Sequence, residues 1–351
     1  MLRKLLSGDT PRSPILTVLL IAILVCLALA PFLFPGVRSV DTAARICIFI
    51  VLVASYDLLL GYGGIVSFAH TMFFGLGAYG VALASTHIGR GFDAMLVGTV
   101  TGAALAAVLA LVIGLFSLRV RAIFFAMITL AVASAVAVLV SQLSSLTGGE
   151  DGLSFKIPRT LGPAFKFADG ELFGVKANGK LLKYYLVFIS CFLLFLLMLR
   201  VVNSPFGRVL QAIRENDFRA EAIGYRVVHY RVAATCLSAA IAATAGALYA
   251  IWLRYVGPDT TLSMEIMIDI LLMVVIGGMG TMYGAVIGAT LFVLAQNYLQ
   301  GVLSLAGDSV SALPLLPDLL NADRWLLWLG VLFILSVYFF PTGIVGRLRS
   351  K

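Results

Sequence analysis

Few residues in this sequence combine the right chemistry with a surprising location. Asp57, His70 and Asp269 stand inside long hydrophobic runs, with Gln296 and Asn297 as uncharged companions. An ionisable group inside a membrane costs about 3 kcal/mol even on lenient insertion scales, so each is a functional candidate. Asp57 closes one run in SYDLLLGYGG, and His70 is expected about two helical turns into GGIVSFAHTMFFGLGAYG. Asp269 follows Glu265 by one helical turn, so both face one side of a helix. Such groups can relay protons, hold a polar part of a solute or satisfy a neighbouring helix. They do not form a catalytic set. No HExxH or CxxC motif occurs, and His87 and His229 are remote from His70 in sequence. Cys26, Cys47, Cys191 and Cys236 fall in or beside apolar runs and read as small packing residues.

Glycine is the second signal. Gly61-Tyr62-Gly63-Gly64 and Gly277-Gly278-Met279-Gly280 are two glycine-interrupted segments, one in each half of the chain. Paired interruptions of this kind point to a translocation pathway built from broken helices. The candidate pathway residues are therefore Asp57, Gly63, Gly64, His70, Asp269, Gly278, Gly280 and Gln296. Gly98 and Gly102 are spaced four apart, as are Gly280, Gly284 and Gly288, a spacing that suits close helix packing.

The elements that carry these residues must be membrane helices. The chain has 351 residues, 61% hydrophobic and 12% charged. A soluble domain carries about 25% charged residues, so no ordinary wetted surface is available. The net charge of +8 is read as topogenic arginine and lysine, not as a nucleic-acid surface. Candidate spans are Ile15–Phe34, Ala44–Leu60, Gly64–Ser85, Ala94–Leu118, Ala122–Leu143, Tyr184–Val202, Val232–Leu253, Met264–Gly280, Ala285–Leu303 and Trp325–Phe340. That predicts an all-α polytopic membrane protein of about ten helices. The count falls toward eight if Gly277–Gly284 belongs to a broken helix and is not a turn. Arg119 and Arg121 in a tight turn, together with the terminal RLRSK, place both termini on the cytoplasmic side. Residues 144–183 then form an extracytoplasmic loop. Its Gly174-x-x-x-x-Gly179-Lys180 is followed by Leu181 where a phosphate loop needs Ser or Thr, so nucleotide binding is rejected.

The long polar insert 203–231 separates two apolar runs and lies on the cytoplasmic side in this scheme. Pro205 suits a helix start and Gly224 a helix end, and the residues between are mostly helix formers. The expectation is one amphipathic helix from Phe206 to Ile223, with Val209 and Ile213 on its apolar face.

These residues resemble a known family. SPFGRVLQAIRENDFRAEAIGYRVVHYRVAATCLSAAIAATAGALYA is similar to the cytoplasmic loop and next span of branched-chain amino-acid ABC importer permeases of the LivM type. The match runs through Gly207, Arg208, Arg214, Glu215, Asn216, Arg219, Ala220 and Gly224. DLLLGYGGIVSFAHTMFFGLGAYG, IGGMGTMYGAVIGATLF and the closing FFPTGIVG extend it in order. Asp57 departs from it, since a neutral, asparagine-like residue is expected there.

The resemblance implies a single transmembrane permease domain over residues 1–351 in a bacterial inner membrane. It implies a coupling helix in 203–231 that docks into a cytoplasmic ATPase, where Arg214, Glu215 and Arg219 make polar contacts while Val209 and Ile213 pack. It also implies a second similar permease, two ATPases that hold ATP and magnesium, and a periplasmic binding protein. This chain would hold no cofactor of its own and touch no nucleic acid. The cargo would be branched-chain or other small amino acids. Urea or short amides are the alternative within the family, and an ion-coupled secondary transporter using Asp57, His70 or Asp269 is the alternative outside it.

Overall fold

A computed structural model describes residues 13–34, 36–117, 122–172, 175–309 and 324–349. Arg119, Arg121, Gly174 and most of both charged termini, on which the orientation argument leaned, lie outside the described residues. The chain is built almost wholly of helices. In order they are α1 (Pro14–Ala28), α2 (Val37–Asp57), α3 (His70–His87), α4 (Phe92–Ser117), α5 (Ala122–Gln142) and α6 (Gly179–Val202). Two short helices, α7 (Pro205–Glu215) and α8 (Asp217–Ala222), precede α9 (Val227–Leu253). The chain closes with α10 (Met264–Gly277), α11 (Met282–Ser309), α12 (Trp325–Phe339) and α13 (Gly343–Arg349).

Among the described residues, eight helical segments are long and apolar enough to cross a membrane. This makes the chain an all-α, multi-pass membrane protein. The expected first span, Ile15–Phe34, is a shorter apolar helix, Pro14–Ala28, followed by a separate helical turn. The expected third span also differs. His70 is the first residue of α3, and residues 64–69 are not helical, so His70 does not lie two turns inside. Gly64 adopts φ +66°, which ends the preceding helix and sends the chain into an extended connection. Gly277–Gly284 contains a turn: α10 stops at Gly277 and α11 begins at Met282.

Burial separates a central helix from a lipid-facing rim. The span Val37–Tyr62 is 83% buried, whereas Ile123–Gln142 and Trp325–Leu348 are only 22% and 17% buried. Bulky side chains such as Phe116, Ile123, Leu193 and Leu326 point outward, as lipid requires. Where helices need to touch closely, they use small residues. A Cβ on Gly77 would collide with the Ala243 backbone, and one on Gly246 with the Phe74 backbone. Gly98 and Gly102 meet α3 in the same way, and Gly284 and Gly288 meet the last turns of α10. The four-residue glycine spacings are therefore packing ridges, as expected.

Between α5 and α6 a hairpin of β2 (Lys166–Leu172) and β3 (Val175–Asn178) rises, and the short β1 (Leu153–Ser154) pairs with β4 (Tyr255–Val256) after α9. Helix α6 starts at Gly179, five residues before the expected Tyr184. Lys180 and Lys183 thus belong to a helix end and not to a loop. The segment 203–226 joins the other end of α6 to the start of α9, so the hairpin and the charged insert sit at opposite ends of α6.

Gly246→Val would push backbone against backbone, at a cost of about 1–3 kcal/mol or more. It should lower the Tm measured in detergent, while Gly301→Ala, which meets nothing within 4 Å, should not. Equal melting of the two variants would show that α3 and α9 can part freely.

Candidate functional site

Helix α2 does not stop at Asp57 but widens into a π-helical turn, Leu58–Tyr62. Such turns are rare and concentrate at functional sites. The Gly63 amide returns to the Leu58 and Leu59 carbonyls at 3.2 and 3.1 Å, and the Ile65 amide to Leu59 at 2.9 Å. The turn exposes the Gly61 carbonyl and aims the Asp57 side chain sideways. Asp57 is 1% exposed, and its Oδ1 accepts the Gly280 amide at 2.8 Å. Gly280 has φ +80° in the turn between α10 and α11, a conformation that suits glycine. A side chain on Gly61 would occupy the space taken by the Asp57 carboxylate and the Gly280 nitrogen. The two glycine-interrupted segments of the sequence are therefore one junction in space.

The charged insert completes this junction. Arg214, in the last turn of α7, donates from Nη1 to the Gly61 carbonyl. Its stem lies against Gly64, and its guanidinium lies beside Gly280. Its charge also acts on Asp57, although no ion pair within 4 Å joins the two. The carboxylate at position 57 thus serves a backbone amide and a nearby arginine, which accounts for an acid where a neutral residue was expected. Its Oδ2 has no hydrogen-bond partner among the described residues. The C-terminal segment adds a further wall, because Gly343 packs directly on Gly278.

The insert itself differs from the single helix expected. Asn216 leaves the helical region at φ −162°, ψ 101°, breaking the segment into α7 and α8. Its side chain then accepts the Arg219 amide at 2.9 Å and caps α8. Gly224, at φ +96°, ends α8, and the Tyr225 amide reaches back to the Ala220 carbonyl at 3.1 Å. Ile213 and Ala220 are buried against Val227, with Val209 beside them, so this apolar face is turned inward onto the chain itself. Gly207 is likewise internal, packed on the Val202 backbone at the corner after α6. The outward apolar residues are instead Phe218 and Ile223, 78% and 73% exposed. Around them Arg208, Glu215, Arg219 and Glu221 are exposed. Asp217 is tied to Arg231 at 3.4 Å, and Phe206 stacks on Tyr230 with centroids 5.8 Å apart, so α7 and α8 are bound to the start of α9.

His70 lies deeper in the core. It is fully buried, with Nε2 2.7 Å from Ser55 Oγ. The Ser55 hydroxyl donates to the Leu52 carbonyl at 2.7 Å, so its oxygen receives the proton from Nε2. That leaves Nδ1 as an acceptor without a partner among the described residues. The Tyr56 ring meets the imidazole edge-on at 5.1 Å, and the Ser238 hydroxyl donates to the Ser55 carbonyl at 2.6 Å. Asp269 and Gln296 form a separate pair across α10 and α11, in which the Gln296 side chain and the Glu265 charge both act on the Asp269 carboxylate. The pathway residues named from sequence therefore divide into the Asp57 junction, the His70 cluster and the Asp269–Gln296 pair. Ser55, Tyr56 and Ser238 were missed because hydroxyls in apolar helices are common; their proximity across α2, α3 and α9 is what distinguishes them.

A model of the family described as "Branched-chain amino acid transport system / permease component" matches residues 39–337. The chain belongs to this family. It is 27% identical over 360 residues to the high-affinity branched-chain amino acid transport system permease protein LivM of Salmonella typhimurium, covering 99% of this chain and 78% of that protein. It is 26% identical to the LivM of Escherichia coli over 359 residues, with the same coverage. The probable branched-chain amino acid transport permease LivM of Methanocaldococcus jannaschii is 28% identical over 247 residues, 69% of this chain and 66% of that one. No solved structure matches. The chain is thus an ABC permease of the branched-chain amino acid family, and the junction beneath its charged insert spans segments shared with that resemblance.

Asp57→Asn retains an oxygen acceptor for the Gly280 amide and should keep the Tm close to the parent value. Asp57→Ala leaves that amide buried and unpaired, which costs about 1–3 kcal/mol. Thermal unfolding that ranks the two variants equally would remove the carboxylate–amide bond as a structural tie.

Proposed function

We propose that this chain is a permease subunit of an ABC importer, moving branched-chain or other small amino acids into the cell across a bacterial inner membrane. In this reading the 203–231 segment and both termini are cytoplasmic, and the β2–β3 hairpin faces outward. Energy arrives from two cytoplasmic ATPases, the pathway is shared with a second homologous permease, and a periplasmic binding protein delivers the solute. Family membership and the branched-chain amino acid transport roles that the relatives are named for support the cargo class.

The observation that carries the coupling mechanism is the reach of Arg214 from the insert to the Gly61 carbonyl. Phe218 and Ile223, ringed by Arg208, Glu215, Arg219 and Glu221, offer an apolar knob with a charged rim, the pattern of a docking site. Asn216 and Gly224 shape that knob, while Gly207 and Ala220 fix it to the permease from within. An ATPase gripping the knob moves α7 and α8, and Arg214 passes the displacement to the π-helical turn and to the Gly280 turn. Coupling of this kind requires a junction with two arrangements, each favoured by a different ligand state. Gly63, Gly64 and Gly278 leave room for the backbone to switch. His70 and the Asp269–Gln296 pair are the polar groups closest to hand for lining or gating a pathway.

The test is uptake in proteoliposomes holding both permeases and both ATPases, fed by loaded binding protein. L-leucine, L-isoleucine or L-valine should enter only with ATP present. Entry driven by a pH gradient without ATPases would overturn the importer reading, and uptake of urea in preference to all three would overturn the cargo. Arg214→Ala should let ATP hydrolysis continue while uptake falls about tenfold, since a lost 1.4 kcal/mol of coupling is a factor of ten. Phe218→Asp with Ile223→Asp should weaken ATPase binding by about thirtyfold, as expected for a buried hot spot worth about 2 kcal/mol. Undiminished co-purification of the ATPases with that variant would move the docking site elsewhere.

A further inference from the structure

A second charged cluster lies at the far ends of the same helices that hold the Arg214 junction. Helix α2 runs from Val37 to Asp57, α6 from Gly179 to Val202, and α9 from Val227 to Leu253. Asp57, Val202 and Val227 are beside the charged insert. At the opposite ends, roughly 30–40 Å away at 1.5 Å per residue, these helices converge on a cavity of about 280 Å³. Its wall includes Asp41, Arg45, Lys180, Lys183, Trp252 and Arg254.

The charge of this cavity is lopsided. Four cations face one carboxylate. Lys180 takes up that carboxylate, with Nζ 3.6 Å from Asp41 Oδ1. Lys183 is 6% exposed and is held by two contacts: its Nζ donates to the Trp252 carbonyl at 2.8 Å and lies 4.4 Å from the centre of the Trp252 ring. Lys183 thereby caps the C-terminal end of α9, where a cation is favourable. Neither Arg45 nor Arg254 has an ion pair among the described residues. Arg254 is also the one non-glycine residue described with positive φ, at 61°. A left-handed backbone costs such a residue about 1–2 kcal/mol, and strain of this sort gathers at ligand clamps.

We propose that this cavity is a receiving site for the carboxylate of a small zwitterionic solute. Arg45 and Arg254 take the carboxylate, an ammonium group competes with Lys180 for the half-exposed Asp41, and the Trp252 ring beneath Lys183 forms the floor. Its volume lies at the small end of ligand pockets, which suits a single amino acid. The choice of an amino acid rests on the importer reading above. The placement, charge and unpaired guanidinium groups do not.

Three tryptophans are present, Trp252, Trp325 and Trp328, so Trp325→Phe with Trp328→Phe leaves Trp252 as a reporter inside the site. The full chain carrying these two changes, in phosphatidylcholine nanodiscs, is titrated with acetate, L-leucine and leucinamide while its emission is followed. Acetate and L-leucine should give saturable changes, and leucinamide, lacking the carboxylate, should give none. Adding Arg45→Gln and Arg254→Gln should weaken the L-leucine response by at least about tenfold, the usual result of removing charged partners from a bound ion. Silence toward both carboxylates, or an equal response to leucinamide, overturns the proposal. So does a Trp252 change seen only when phosphatidylglycerol replaces phosphatidylcholine, which would make the cavity a lipid-headgroup site. The two readings fail separately: leucine uptake by the full assembly with a silent Trp252 refutes the cavity alone. A Trp252 response to acetate without uptake of leucine, isoleucine or valine refutes the cargo alone.

Discussion

The hydrogen bond from the Gly280 amide to the Asp57 carboxylate is the tie on which the rest of this permease depends. It joins the end of the most buried helix to the turn between α10 and α11, 223 residues away in sequence. It can form only because position 61 has no side chain, so the π-helical turn and the Gly278–Thr281 turn touch backbone to backbone. In a low-dielectric core an amide left without that acceptor would be expensive, and a carboxylate without donors more so. Each group makes the other tolerable.

Arg214 turns this structural tie into a point of control. It belongs to the polar insert by sequence and to the glycine junction by contact. An element outside the bundle thus reaches the unwound part of the bundle's central helix through a single side chain. The inward burial of Ile213, Ala220 and Gly207 makes the insert a rigid lever, because its apolar face is spent on holding α7 and α8 against α9. What faces outward is a small knob at Phe218 and Ile223. A rigid lever with an exposed grip at one end and an arginine bonded to the glycine junction at the other is the arrangement that transmits a push without bending.

The opposite ends of α2, α6 and α9 have a different character. There the polar groups are mostly cations, and Lys183 and Arg254 gather at the carbonyl end of α9, where the helix dipole favours positive charge. One set of three helices therefore carries a lever junction at one end and a cationic cavity at the other. The buried His70–Ser55–Ser238 cluster on α2, α3 and α9 adjoins the lever end, since Ser55 stands two residues before Asp57.

Composition and hydropathy alone determined that this is an all-helical, multi-pass membrane protein, because apolar runs of about 20 residues satisfy their backbone in lipid as helices, whereas barrel strands are short and alternating. The insert 203–231 was legible for the same reason in reverse, as a polar segment that cannot enter lipid, and its residues carried the family. The glycine ridges on α4 and α11 were legible as packing surfaces from their four-residue spacing. Local signals did not reveal the break at Asn216, since an asparagine between helix formers is compatible with a continuous helix until its side chain finds the Arg219 amide. Nor did they reveal that α3 begins only at His70, because apolar content is the same in an extended connection as in a helix. Above all, sequence matched the Gly61 and Gly280 segments only as similar interruptions, set Arg214 on a cytoplasmic helix facing an ATPase and put Lys183 in an outer loop. Only tertiary packing decided that the first three meet around Asp57 and that the fourth closes a cavity with Arg45 and Arg254. These contacts are separated by 69 residues between Lys183 and Trp252, 153 between Arg214 and Gly61 and 223 between Gly280 and Asp57, and no periodicity or local propensity encodes separations of that kind.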